Sequence, residues 1–77
     1  MSVESKVKEV IAEQLGINED DISSDSSLSN DLGADSLDIF EVVMALEEEY
    51  EVDISDAEID NFETVKNLVD CIAKKSC

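Results

Sequence analysis

The chain has 77 residues, of which 21 are acidic and 5 are lysine, with no arginine and no histidine, giving a formal net charge of -16. A field of that sign repels phosphate backbones and anionic lipid surfaces, which argues against nucleic acid and membrane partners, and a chain this short supplies one small core and no deep enzyme cleft. With 43% hydrophobic residues set at helical spacing, the sequence is nonetheless that of a folded domain rather than a disordered acidic tail.

Taken in order, Val3, Val7, Val10, Ile11 and Leu15 share one face of a first helix that Ser2 caps and Gly16 ends. From Ile17 to Ala34 the chain is rich in Ser, Asn and Asp, with Ile17, Ile22, Leu28 and Leu32 as apolar anchors. A loop of that length in a small domain is expected to be packed down and to carry function. Asp35 is the natural N-cap of a second helix, and Asp38 adds negative charge at its positive end. Leu37, Phe40, Val43, Met44 and Leu46 put apolar groups on more than one face of it, and Asp38, Glu41, Glu47, Glu48 and Glu49 supply acids. Ser55 and Glu58 form a capping box for a short third helix that carries Ile59 and ends near Phe62. Thr64 caps a fourth, whose stripe is Val65, Leu68, Val69 and Ile72. The expectation is an all-α single domain over residues 1-77. It is a small bundle of three main helices plus a short one between the second and fourth segments, with a long ordered loop after helix one and no strand.

The lysines (Lys6, Lys8, Lys66, Lys74, Lys75) all lie near the ends, so Glu9 to Val65 is without a basic residue. Cys71 and Cys77 would point to different sides of a helix and are too far apart to bridge, so both are expected as reduced thiols. The start MSVESKVKEV lacks the blocks of a signal peptide and no run reaches membrane-spanning length, so a soluble, cytoplasmic protein is expected, with the mature form of an organellar chain as the alternative; a monomer is the expected state.

Ser36 is the residue that asks for chemistry. Without histidine it has no neighbouring base to make it a nucleophile, and the acids around it read as a solvated helix face rather than a general acid and base pair. A calcium loop fails as well. With Gly33 as the sixth position of an EF-hand, the first and twelfth would be Leu28 and Ile39, neither of which ligates an ion. What remains is an exposed serine at a helix N-terminus, a setting that favours an attached phosphate, although an isolated Asp-Ser pair in that place most often does nothing more than tolerate it.

The octet DLGADSLD (31–38), followed by EVVMALEEEY, lifts the serine out of that ordinary case. It closely resembles the acyl carrier proteins of type II (dissociated) fatty acid synthesis, and the likeness continues through EVDIS into the last helix. The resemblance implies that Ser36 carries covalent 4'-phosphopantetheine, donated by coenzyme A through a separate carrier protein synthase, a phosphopantetheinyl transferase. The chain would then be no enzyme but a carrier of growing fatty acyl chains, held as thioesters and shuttled between separate synthesis enzymes. It further implies that basic patches on those enzymes dock on the second helix, with Asp35, Asp38, Glu41, Glu47 and Glu48 as steering charges and Leu37 and Met44 as apolar contacts. Val43, Leu46, Ile54, Phe62 and Ile72 match the positions that enclose the acyl chain. Two positions depart from the pattern: Phe62, where relatives often have a smaller aliphatic residue, and Ser55, where many have proline. A carrier for a specialised polyketide or lipid-tailoring route is the alternative reading. An unmodified acidic interaction module or ion buffer is a third.

Overall fold

The computed structural model describes residues 2–76 and contains four α-helices: α1 (Val3–Leu15), α2 (Ser36–Tyr50), α3 (Asp56–Asp60) and α4 (Val65–Ser76). The expected Cys77 thiol lies outside the described residues. A single 3-10 turn, Glu19–Asp21, interrupts the loop after α1; the Asn18 side chain caps it by accepting from the Asp20 amide, a local contact the loop's composition did not reveal.

Each helix starts where a side-chain oxygen meets an orphan amide. The Ser2 hydroxyl accepts from Ser5 at 3.1 Å, and Ser55 and Glu58 close the capping box expected of them at the start of α3. α1 ends at Gly16, whose φ of 68° lets the Ile17 amide turn back to the Ala12 carbonyl. α2 ends by the same device, with the Val52 amide returning to Glu47, but there Glu51 occupies the left-handed position at φ 54°. A side chain in that region costs about 1 kcal/mol relative to glycine. α3 stops at Asp60, two residues short of the expected Phe62. The Asn61 and Phe62 amides bond three residues back, to Glu58 and Ile59, and this tightens the last turn out of the α-helical pattern.

The core is the meeting of the expected stripes. Val7 and Ile11 of α1, Val43 and Leu46 of α2, and Leu68 and Ile72 of α4 are wholly buried, and α1 packs against both α2 and α4. The long loop closes one side with Ile22 and Leu28, both buried as anchors, while Ile17 and Leu32 pack half-buried beside them. Its backbone is strapped to the start of α4. Leu28 donates to the Glu63 carbonyl at 2.9 Å, and the Val65 and Lys66 amides donate to Ser26 and Ser24 at 3.1 and 2.9 Å. Loop carbonyls thus take up amides that α4 would otherwise leave open, and Ser27 and Thr64 form an isolated antiparallel bridge.

No charged or polar side chain is buried among the described residues, so the large negative charge lies wholly at the surface. Three lysines form ion pairs there, two of them between elements. Lys8 pairs with Glu4 within α1, Lys6 reaches Glu49 at the end of α2 at 3.2 Å, and Lys75 joins α4 to Glu58 of α3 at 3.2 Å. The hydrogen bond from Lys6 to Glu49, followed by the charges of Glu49 and Glu9, holds the Lys6 ammonium above its ordinary value. Glu58 is held below its ordinary 4.5, first by the Ser55 amide and then by Lys75. A depressed carboxyl adds stability that is complete above its unfolded value and is lost as pH falls through the folded one. The melting temperature of the wild-type protein relative to Glu58→Gln is therefore expected to fall as pH drops from about 6 to about 3; a difference that stays constant over this range would mean that Glu58 titrates alike in both states.

Candidate functional site

The turn that delivers Ser36 is built one residue at a time. The Asp31 carboxylate accepts from the Ser27 amide at 2.7 Å, Gly33 takes a φ of 71° that bends the chain, and Ala34 is buried while its amide donates to the Leu28 carbonyl at 2.8 Å. Asp35 then caps α2, accepting from the Asp38 amide at 2.9 Å while the Asp38 carboxylate accepts from the Asp35 amide at 3.3 Å. Ser36 is the first helical residue; it is exposed, and its hydroxyl has no hydrogen-bond partner among the described residues. The serine is held by its backbone and left free at its side chain.

At 100° per residue, Glu47, Phe40, Met44, Leu37, Glu48 and Glu41 span an arc of about 120° on α2. Three of them are large apolar groups facing solvent, with Leu37 64%, Phe40 42% and Met44 50% exposed. Charge flanks this apolar row on both sides. Asp35 and Asp38 lie off the arc and are joined to each other by the capping box. Glu47 is half-buried, its carboxylate accepting from the Ile54 amide at 2.8 Å, so it clamps the loop between α2 and α3. Glu41 is exposed and receives a hydrogen bond from Gln14 of α1. Glu48 is exposed with no partner among the described residues. Of the seven side chains named from the sequence as docking groups, Leu37, Met44 and Glu48 are exposed without a polar partner, Glu41 is exposed and bonded to Gln14, and Asp35, Asp38 and Glu47 are bonded to backbone amides.

Ser36 also opens onto the crevice between α2 and α3. A cavity of about 170 Å³ is lined by Ser36, Ile39, Ile59, Asp60 and Phe62. A shallower groove beside it runs over Leu37 and Phe40 to Asp56. Of the five residues expected to enclose an acyl chain, Phe62 lines the cavity; Val43, Leu46 and Ile72 are fully buried in the packed core, and Ile54 is buried nearby. Ile39 and Ile59 were not singled out as site residues, although each is an aliphatic side chain on a helix whose start is fixed by a capping box. On the far side of α3, Cys71 is half-buried, and desolvation, followed by the charge of Glu58, pushes its thiol above the ordinary value. Among the described residues no cluster of acids and cysteine is arranged to hold a metal ion, and no helix is long and apolar enough to cross a membrane.

Residues 5–72 match the family described as "Phosphopantetheine attachment site". The fold is similar to that of an acyl carrier protein from Thermotoga maritima, with a TM-score of 0.80, 33% identity, and coverage of 91% of this chain and 81% of that one. It is also similar to the apo doublet acyl carrier protein from prodigiosin biosynthesis, with a TM-score of 0.82 and 27% identity over 95% of this chain but 35% of that longer one.

The different bonding of two adjacent glutamates can be tested by urea denaturation. Glu47→Ala, which strands the Ile54 amide, is expected to lose about 1–2 kcal/mol, and Glu48→Gln to stay within about 0.5 kcal/mol of wild type; equal effects would remove the clamp.

Proposed function

The chain belongs to the family of phosphopantetheine attachment domains, which are carriers and not catalysts, and from that premise we propose that Ser36 bears the 4'-phosphopantetheine arm and that the protein, a single carrier domain across residues 1-77, takes growing fatty acyl chains between separate synthesis enzymes. The observation that carries the reading is the setting of Ser36, an exposed, unpartnered hydroxyl on a backbone fixed from both sides. The residues present fit the group. The amides of Ser36 and Leu37 in the first turn of α2 take no protein partner among the described residues and favour a phosphate there. No histidine stands in the sequence to deprotonate the hydroxyl, so activation falls to a phosphopantetheinyl transferase. When bound, the arm supplies a terminal thiol on which an acyl group is held as a thioester.

The partners on this reading are the transferase and synthesis enzymes with basic surfaces. Glu41 and Glu48 steer them, with Asp35, Asp38 and Glu47 adding to the field from their bonded positions, and Leu37 and Met44 make the apolar contact. A surface that must visit many enzymes and leave each one is served by fast, charge-steered, weak association. The acyl chain leaves water in the crevice behind Ser36, with Phe62 at its wall and Val43, Leu46, Ile54 and Ile72 behind it. The protein works as a cytoplasmic monomer on this reading. A second reading, a carrier for a specialised route, is favoured by the likeness to the carrier from prodigiosin biosynthesis; the acyl groups recovered from the thioester in cells separate the two.

Incubation with coenzyme A and a transferase is expected to raise the intact mass of the wild-type protein by one arm and to leave Ser36→Ala unchanged. That variant should keep its stability to within about 0.5 kcal/mol, because alanine suits a first-turn helix position. A modified Ser36→Ala protein overturns the assignment, and a wild-type protein that never gains the mass returns the chain to the class of unmodified acidic modules. Charge steering has its own measurement. The Glu41→Gln, Glu48→Gln double variant should associate with the transferase about two- to tenfold more slowly at low salt and show a flatter salt dependence, with circular dichroism unchanged. An unaltered rate and salt slope would place the docking face elsewhere.

A further inference from the structure

α1 and α2 pack against each other, and two polar side chains of α1 reach across to carboxylates of α2. Gln14 lies about two turns beyond Lys6 on α1, and its partner Glu41 lies about two turns before Glu49, the partner of Lys6, so the two bonds are rungs of one antiparallel pairing. The donors differ in kind. Lys6 is a cation and offsets the charge of Glu49, at the end of α2 far from Ser36. Gln14 is a neutral carboxamide; its Nε2 donates to Oε2 of Glu41, near the serine end of the helix, and leaves the carboxylate its whole charge. Both side chains are exposed, and Oε1 of Glu41 takes no protein partner among the described residues.

We infer that Gln14 is a positioning residue for docking, one that holds Glu41 at the edge of the apolar row of α2 in the attitude in which a basic side chain of the transferase meets it. The inference rests on the docking reading of α2 and deepens it by carrying the recognition surface onto α1. A free glutamate loses side-chain freedom when a lysine or arginine captures it, and that loss weakens the complex. At Glu41 part of the ordering precedes the encounter, because Gln14 stands on a packed helix and confines the carboxylate before the partner arrives. Glu48, beside it on the arc, has no such support. The charge of Glu41 is the same with or without Gln14, so the steering of the encounter is independent of the glutamine, while the lifetime of the complex depends on it.

The test measures association and dissociation of the full, unmodified chain with a phosphopantetheinyl transferase across a salt series, in the absence of coenzyme A so that no arm is transferred. Gln14→Met keeps the length and helix propensity of the side chain and removes the donor. It is expected to dissociate about two- to tenfold faster than wild type, with its association rate, the salt slope of that rate and its circular dichroism unchanged. Glu41→Ala, which loses the charge itself, should also associate more slowly and with a flatter salt slope. Adding Gln14→Met to the Glu41→Ala protein should change neither rate further, because the glutamine acts through the carboxylate. A Gln14→Met protein that dissociates like wild type overturns the positioning role, and so does one that keeps its full effect without Glu41, since the glutamine would then touch the partner itself. Wild-type rates for Glu41→Ala remove docking at Glu41 and the inference together.

Discussion

The amide and carbonyl of Leu28 tie two distant parts of the molecule to one point. The amide donates to Glu63, between α3 and α4, the carbonyl accepts from Ala34, just before the cap of α2, and the side chain is sunk in the core. Because a buried backbone group left unpaired is costly, these bonds fix the path of the loop more firmly than its polar composition alone would. The entry angle of α2 depends on that path. So does the exposure of Ser36, since among the described residues the bond from Ala34 to Leu28 is the one loop hydrogen bond that holds Gly33 and Ala34. Phe62, next to Glu63, lines the cavity beside Ser36, so the serine and one wall of that cavity are held by a common set of bonds.

Around that frame the negative charge is divided between two uses. Asp31, Asp35, Asp38, Glu47 and Glu58 each accept from a backbone amide, and such charge-assisted bonds are among the stronger ones a surface residue makes. Others, such as Glu48, face water without a partner and contribute only to the field. Mutual repulsion among acids opposes compactness, and the few lysines offset it where the elements join, at Glu49 and at Glu58. Exposed pairs of this kind add little each. Their value lies in position, since each one joins two helices rather than bracing one.

What could be read from the sequence was what is local. Helix starts followed from Ser2, Asp35 and Ser55, because a cap and its target amide lie within a few residues of each other, and the stripes of α1 and α4 followed from period alone. Ser36 itself was legible through the octet around it. The strap between residues 24–28 and 63–66 was not, because backbone bonds leave no mark on side-chain identity. Glu47 read as one more acid of an acidic helix; its partner is the amide of Ile54, and nothing in the side-chain pattern points to a backbone group. Asp38 could have been set apart from the exposed face by its angular position on the helix. The cavity was the least legible part, since Val43, Leu46 and Ile72 have the same apolar character as Ile39 and Ile59 and only packing shows which of them border empty space.

The strap also bears on how the chain reaches its native state. Joining Leu28 to Glu63 closes a loop of about 35 residues, and the entropy of that closure must be met before the bonds return anything. During synthesis Glu63 leaves the ribosome after α2, so Ser36 is already outside while its turn still lacks the tie from Leu28 to Glu63. The bonds with Glu63, Val65 and Lys66 that complete the loop's path can form only once the start of α4 has been made.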